Sequence, residues 1–134
     1  PRAKEDTMSF ANRKATAMLP AKDAARARRW YADMLGLTPA EEFGEMGAVY
    51  DLGGTRVFLY ATQFAGTAQH TVLSFDCTDL VADMKELRRR GAVFLDYDLP
   101  GLKTVDGLAE FAGLKNAWCK DSEGNIIAFV EGEM

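Results

Sequence analysis

The feature that most constrains this chain is a weak internal repeat, because the same order of elements is predicted twice within 134 residues. In each half, a first strand is followed by an amphipathic helix and then by three short strands, although the residues themselves differ. The first unit covers residues 14–61 and the second covers residues 70–131, with a small, polar connection at 62–69. A helix covers only one face of its sheet, so the other, apolar face must be buried elsewhere. The repeat therefore predicts an α+β fold in which two paired βαβββ modules curl their sheets around a cavity.

The helices are predicted from apolar spacing between a capping aspartate and a closing glycine. The first lies between Asp23 and Gly36, and the second lies between Asp79 and Gly91. Strands are predicted at residues 14–22, 39–43, 48–52, 55–61, 70–76, 93–98, 114–120 and 126–131. Pro20 indicates that the first of them lies at a sheet edge or ends there, because proline has no N–H to donate. Residues 99–113 are predicted to form a long binding loop or a plain surface loop.

Composition narrows the class of protein. The formal net charge of -4 gives no reason to expect nucleic acid or an anionic membrane as a partner. No apolar run reaches the ~20 residues that a membrane-spanning helix needs. Cys77 and Cys119 form neither a disulfide framework nor a C-x-x-C pair, so a reduced, cytoplasmic protein is predicted. Residues 14–134 suit a single domain, preceded by a flexible arm at residues 1–13.

The two halves can also be aligned by residue. Matching Leu19 with Leu73 in the first strands places Thr16 opposite His70, which is the single histidine of the sequence. Matching the last strands places Leu59 opposite Ala128, although the distance from the preceding glycine differs by one residue. Alternate residues of these strands are expected to line the cavity.

Three motifs resemble the vicinal oxygen chelate superfamily, which contains glyoxalase I, bleomycin-resistance proteins, fosfomycin-resistance enzymes and extradiol dioxygenases. Asp23 and the segment Trp30-Tyr-Ala-Asp-Met-Leu-Gly-Leu37 are similar to the F-Y-x-x-x-L-G-L helix end of that family. The segment His70-Thr-Val-Leu-Ser-Phe-Asp76 is similar to the first strand of its second module. The turn Asp-Ser122-Glu-Gly-Asn125 is similar to its D-P-D-G-N turn, with serine in place of proline.

The resemblance implies four positions for divalent-metal ligands on the concave face: Thr16, His70, Leu59 and Ala128. Only His70 is a ligand type, whereas a stable site needs about three or four protein ligands. No metal or other cofactor is therefore expected, unless groups such as Asp106 or Glu110 supply the missing ligands. His70 remains a candidate catalytic base or hydrogen-bonding group, and equally a structural residue. A nucleophilic Cys119–His70 pair is a further hypothesis, although a buried cysteine usually serves only packing.

Two functions of different classes follow. The first is a metal-independent small-molecule-binding protein of the bleomycin-resistance type, forming a homodimer. The alternative is a metal-dependent lyase, isomerase or dioxygenase of the glyoxalase group with an unconventional ligand set. Aromatic strand residues could stack on a ligand or could simply be core. The candidate ligand-binding residues are Thr16, Phe58, Tyr60, His70, Phe111, Trp118 and Ala128.

Overall fold

The computed structural model describes residues 8–132 and contains two helices and ten strands in that part of the chain. The first module consists of β1 (Thr16–Ala21), α1 (Ala24–Leu35), β2 (Glu41–Glu42), a 3₁₀ turn (Gly44–Met46), β3 (Gly47–Leu52) and β4 (Thr55–Ala61). The second consists of β5 (Thr71–Cys77), α2 (Leu80–Arg89), β6 (Asp98–Leu99), β7 (Leu102–Lys103), β8 (Ala109–Phe111), β9 (Leu114–Lys120) and β10 (Ile126–Glu131). No helix within residues 8–132 is long and apolar enough to cross a bilayer.

Each module contributes one four-stranded mixed sheet. The strand orders are β1-β4-β3-β2 and β5-β10-β9-β8, so the two halves share one topology. In both sheets the first strand runs parallel to the last one and lies at the edge. The predicted fold class is confirmed, and so is the edge position of the strand that contains Pro20.

The helix caps lie where the sequence predicts them. The side chain of Asp23 accepts a hydrogen bond from the Arg26 N–H at 3.0 Å, and that of Asp79 accepts one from Ala82 at 3.2 Å. Gly36 closes α1 in the left-handed conformation, at a φ of 68°. These caps satisfy backbone groups that have no partner within a helix.

Each sheet has one face against a helix and one face open. In the first module, Leu19 of β1 pairs directly with Leu59 of β4, and both are buried with α1 in one apolar cluster. In the second module, Phe75 of β5 pairs with Phe129 of β10 against α2. Because side chains alternate along a strand, the intervening residues lie on the open faces.

Helix α1 joins the two modules. Its Trp30 and Leu35 side chains pack against the apolar clusters of both sheets. At its C-terminal end, the Met34 carbonyl accepts a hydrogen bond from Arg90 at 2.9 Å. The modules therefore share an apolar junction rather than meeting through the linker alone.

Three details of the sequence prediction are wrong. The strand predicted at 39–43 contracts to Glu41–Glu42, because a 3₁₀ turn follows it. Of the strand predicted at 93–98, Phe94 makes an isolated bridge to Cys119 and Asp98 begins the short strand β6. The place of the predicted strand beside β9 is instead taken by β8, which lies inside the predicted loop. Residues 1–7 of the predicted arm lie outside the described residues, while residues 8–15 precede β1 with exposed side chains.

The segment that connects α2 to β8 is held by polar contacts. One Asp96 carboxylate oxygen accepts hydrogen bonds from the Thr104 hydroxyl at 2.7 Å and from the Gly107 N–H at 2.8 Å. Arg88 donates to the Asp106 carbonyl and lies over the Phe94 ring. These bonds, together with the β6–β7 hairpin, give residues 94–108 a defined path.

Candidate functional site

The open face of the first sheet carries a groove of about 480 Å³. Strands β1, β3 and β4 form its floor, and the segment around the 3₁₀ turn forms one side. Its lining consists of six uncharged side chains and one cation: Thr16, Met18, Phe43, Met46, Val49, Phe58 and Arg56. All of these residues belong to the first module. The groove is therefore a feature of a single sheet.

The groove wall is apolar and accessible. Met18 is 51% exposed and Met46 is 71% exposed, although both are large apolar residues. The Phe43 and Phe58 rings meet edge to face at 6.1 Å between centroids, and Tyr60 lies 6.3 Å from Phe58. Aromatic faces and flexible thioethers provide a surface that suits flat apolar ligands. Three predicted ligand-binding residues thus share this open face: Thr16, Phe58 and Tyr60.

The open face of the second sheet holds two more of the predicted residues. Trp118 of β9 and Ala128 of β10 are direct cross-strand partners, so their side chains lie on one face. Tyr97 from the preceding segment packs against Trp118, with ring centroids 5.4 Å apart. Phe111, on the edge strand β8, is 47% exposed. The predicted residues therefore form two groups on different sheets.

A buried amide lies on that second open face and was missed by the sequence prediction. Asn116 is 7% exposed and pairs with Val130 on one side and Ala109 on the other. Its Nδ2 atom is buried without a hydrogen-bond partner among residues 8–132. The alternation that places Asn116 on the same face as Trp118 was the signal available in the sequence.

His70 lies outside the strand that was predicted to begin with it. Its side chain is exposed, and its Nδ1 atom is 2.9 Å from the carbonyl oxygen of the neighbouring Thr71. Within residues 8–132, no group of three or more His, Cys, Asp or Glu side chains could hold a metal ion. The described residues thus provide no ready-made ligand set around the imidazole.

The residue alignment of the two halves needs correction. Leu19 lies four residues before the Asp23 cap and Phe75 lies four residues before the Asp79 cap, so Leu19 matches Phe75 rather than Leu73. Leu59 is fully buried against α1 and cannot lie opposite Ala128 on an open face. The open-face residue at that level of β4 is Phe58. Thr16 likewise lies level with the irregular start of β5 rather than with His70.

The hypothesis of a Cys119–His70 pair is not supported. Cys119 is 1% exposed and packs in the apolar cluster against α2, on the covered face of its sheet. Burial raises the pKa of the Cys119 thiol to about 12, and the nearby Asp121 carboxylate raises it as well. The thiol is therefore protonated near neutral pH, whereas nucleophilic cysteines need a lowered pKa.

The turn between β9 and β10 forms a polar joint between the modules. The buried Glu123 carboxylate accepts from the Asp23 N–H at 2.8 Å and from Arg26 at 2.8 and 3.1 Å. Asn125 donates to the Pro20 carbonyl at 2.7 Å and accepts from the Gly66 N–H at 3.2 Å. This motif therefore connects the second module to the start of α1.

Comparison with known proteins identifies the fold and the family. No curated protein is similar enough to this sequence to count as a match. A glyoxalase/bleomycin-resistance protein from Catenulispora acidiphila is 23% identical, with a TM-score of 0.64 over 90% of this chain and 98% of the other. A lactoylglutathione lyase from Agrobacterium tumefaciens is 14% identical, with a TM-score of 0.69 over 90% and 94%.

A third similar structure is TnmS3, an antibiotic-binding protein from a Streptomyces species. It is 19% identical, with a TM-score of 0.63 over 91% of this chain and 97% of the other. At these identities the likeness concerns the fold. The family model "Glyoxalase/Bleomycin resistance protein/Dioxygenase superfamily" matches residues 14–129. The chain therefore belongs to the Glyoxalase/Bleomycin resistance protein/Dioxygenase superfamily.

Proposed function

We propose that this protein binds a flat, largely apolar small molecule in the groove of its first sheet, without a metal ion. The observation that carries the proposal is the apolar cluster of Met18, Phe43, Met46 and Phe58, of which the first three are exposed. Contiguous exposed apolar surface of this kind is typical of binding sites. The antibiotic-binding activity given for TnmS3 supports the same class of function for a chain of this fold.

Loss of metal chemistry is the second part of the proposal. His70 has no neighbouring group of ligand side chains in the described part of the chain. On the last strands of the two modules, the open faces carry Phe58 and Ala128, which cannot bind a metal ion. An imidazole alone does not hold zinc or iron tightly. His70 is then a surface residue next to the second sheet, and its replacement by alanine should leave ligand binding unchanged.

A homodimer is the third part. The groove is open on the side away from its own sheet, and the Met18 and Met46 side chains on its rim are exposed. A second copy placed over the rim would bury Met18 and Met46 and would enclose the ligand.

A cytoplasmic location is also part of the proposal. Both cysteines are free thiols, which agrees with that location.

The test uses the whole chain and a neutral fluorescent probe, N-phenylnaphthylamine, whose emission rises in apolar sites. We expect saturable binding that Phe58→Ala weakens by about tenfold, because truncating an aromatic anchor removes about 1.4 kcal/mol of contact. Phe64→Ala is the matched control, since Phe64 is 68% exposed and lies outside the groove lining. Equal affinity in the parent and in Phe58→Ala would overturn the assignment of the groove.

Elemental analysis and light scattering test the other two parts. The protein purified without chelator should carry no stoichiometric divalent metal, and added zinc, iron or manganese should not change probe affinity. Retention of one tightly bound metal per chain would instead favour the metal-dependent enzyme.

By light scattering, we expect the parent protein to be a dimer and Met46→Glu to dissociate it. A monomeric parent would contradict the proposed homodimer.

A further inference from the structure

We propose that the ligand of the groove is an aromatic molecule that carries an anionic group, and that Arg56 binds this group. The inference rests on the proposed function, since it requires the groove to be the binding site. It adds the charge of the ligand and the end of the groove at which that charge lies. Both follow from the position of one guanidinium.

Among the described residues that line the groove, Arg56 is the single charged one. It lies on β4, two residues from Phe58, and is the direct strand partner of Thr16. Alternation along β4 therefore places its side chain on the same face as the Phe58 ring. A ligand ring lying on Phe58 would present its substituents to a cation and a hydroxyl at one end.

The Arg56 guanidinium has no polar partner in the described part of the chain. No hydrogen bond or ion pair joins Arg56 to another residue between positions 8 and 132. Two other arginines of the first module have polar partners: Arg26 binds Glu123, and Arg28 binds the Gly44 carbonyl at 2.8 Å. A planar guanidinium with free N–H groups next to an apolar wall matches carboxylate, sulfonate or phenolate oxygens.

The charges around Arg56 affect how strongly it can bind an anionic ligand. A second groove, of about 550 Å³, shares Arg56 and Val49 with the first and contains Lys14, Glu41 and Asp51. Asp51 is the strand partner of Arg56 on β3, but the pair forms no ion pair within the residues described. Asp51 therefore competes weakly with a ligand anion, and its removal should strengthen anion binding.

The test compares two probes that share one ring system. Anilinonaphthalene sulfonate carries an anion, and N-phenylnaphthylamine is its neutral counterpart. We expect Arg56→Gln to weaken the sulfonate by about fivefold or more, as for a partly exposed charge-assisted pair, and to change the neutral probe by less than about twofold. Asp51→Asn should tighten sulfonate binding, and raised salt should weaken it selectively.

Controls separate this inference from the proposed function. Arg29→Gln removes an exposed arginine of α1 outside the groove lining and should leave both affinities unchanged. If Phe58→Ala weakens both probes while Arg56→Gln alters neither, the anionic group is rejected and the groove stands. If Phe58→Ala weakens neither probe, the groove and the inference both fall. If the neutral probe binds in the groove but the sulfonate does not bind, only the anionic group is rejected.

Discussion

The hydroxyl of Tyr31 donates a hydrogen bond to the Asp121 carboxylate at 2.6 Å, across 90 positions of sequence. Tyr31 lies on α1 of the first module, and Asp121 opens the β9–β10 turn of the second. Burial raises the pKa of Tyr31 far above its ordinary value, and the Asp121 carboxylate raises it further. The phenol of Tyr31 therefore remains protonated, and a hydrogen-bond donor, at neutral pH and well above it.

Tyr31→Phe should lower the free energy of unfolding by about 1–3 kcal/mol, because it leaves a buried carboxylate with one donor fewer. Tyr50→Phe is the matched control. Tyr50 is equally buried, but its hydroxyl has no partner among the described residues. Its removal should be neutral or stabilising by up to about 1 kcal/mol. Urea denaturation of the two variants measures the difference, and equal losses would show that the Tyr31 bond contributes nothing specific.

Acid should weaken the joint at Glu123. Burial alone would raise the pKa of Glu123, but hydrogen bonds from Arg26, the Asp23 N–H and Ser122 lower it to about 2, from an ordinary value of 4.5. A carboxyl with a lowered folded-state pKa stabilises the fold above about pH 4.5 and loses that contribution progressively towards pH 2.

Glu123→Gln should therefore destabilise the protein at neutral pH, and its deficit relative to the parent should shrink as the pH falls from 4.5 towards 2. Thermal unfolding across this range measures the deficit. Glu42→Gln is the control, because Glu42 is 65% exposed and its contact with Arg28 is 3.5 Å long. A deficit for Glu123→Gln that is independent of pH would contradict the role of its charge.

Gly47 should not tolerate a side chain. Its φ is 137°, and a Cβ atom at this position would lie 1.8 Å from the carbonyl oxygen of Leu59 on the adjacent strand. We expect Gly47→Ala to lose several kcal/mol of stability or to fail to fold, because two backbones must separate. Gly36→Ala should lose only about 1 kcal/mol, since its φ is left-handed but its surroundings are empty. Similar losses for both would contradict the close approach.

The two buried asparagines should respond in opposite ways. Asn116→Leu removes an amide whose Nδ2 has no partner in the described residues, so stability should be unchanged or should rise by about 1 kcal/mol. Asn125→Leu removes the bonds to Pro20, Gly66 and Asp121 and should cost several kcal/mol. Chemical denaturation compares them, and a large loss in Asn116→Leu would reveal a hidden partner of that amide.

Local signals predicted the helices and the topology well. Asp23 and Asp79 act as caps because a capping bond spans only three residues, so neighbouring sequence decides it. The repeated element order then restricted the fold to paired modules. The residue alignment was less secure, since an error of one position on β4 exchanges the open face for the covered one. That error placed Leu59 at an implied metal-ligand position on the open face, although Leu59 lies on the covered face.

The non-local parts of the site could not be predicted in the same way. Phe43 and Met46 reach the groove through the 3₁₀ turn at Gly44–Met46, and the local sequence does not show which side chains such a turn directs towards the sheet. The outer strand β8 was missed because it is only three residues long and follows two short hairpin strands. Its place beside β9 depends on the bonds around Asp96, which connect residues distant in sequence.

Strand β4 separates residues of the core from residues of the open face. Val57 and Leu59 are fully buried against α1, whereas Arg56, Phe58 and Tyr60 alternate with them on the other side. Point substitutions at the outward positions can therefore alter the size, polarity and charge of an accepted molecule while the core remains intact. A protein built in this way can acquire a new ligand through a few exchanges on one strand, without first acquiring extra stability to tolerate them.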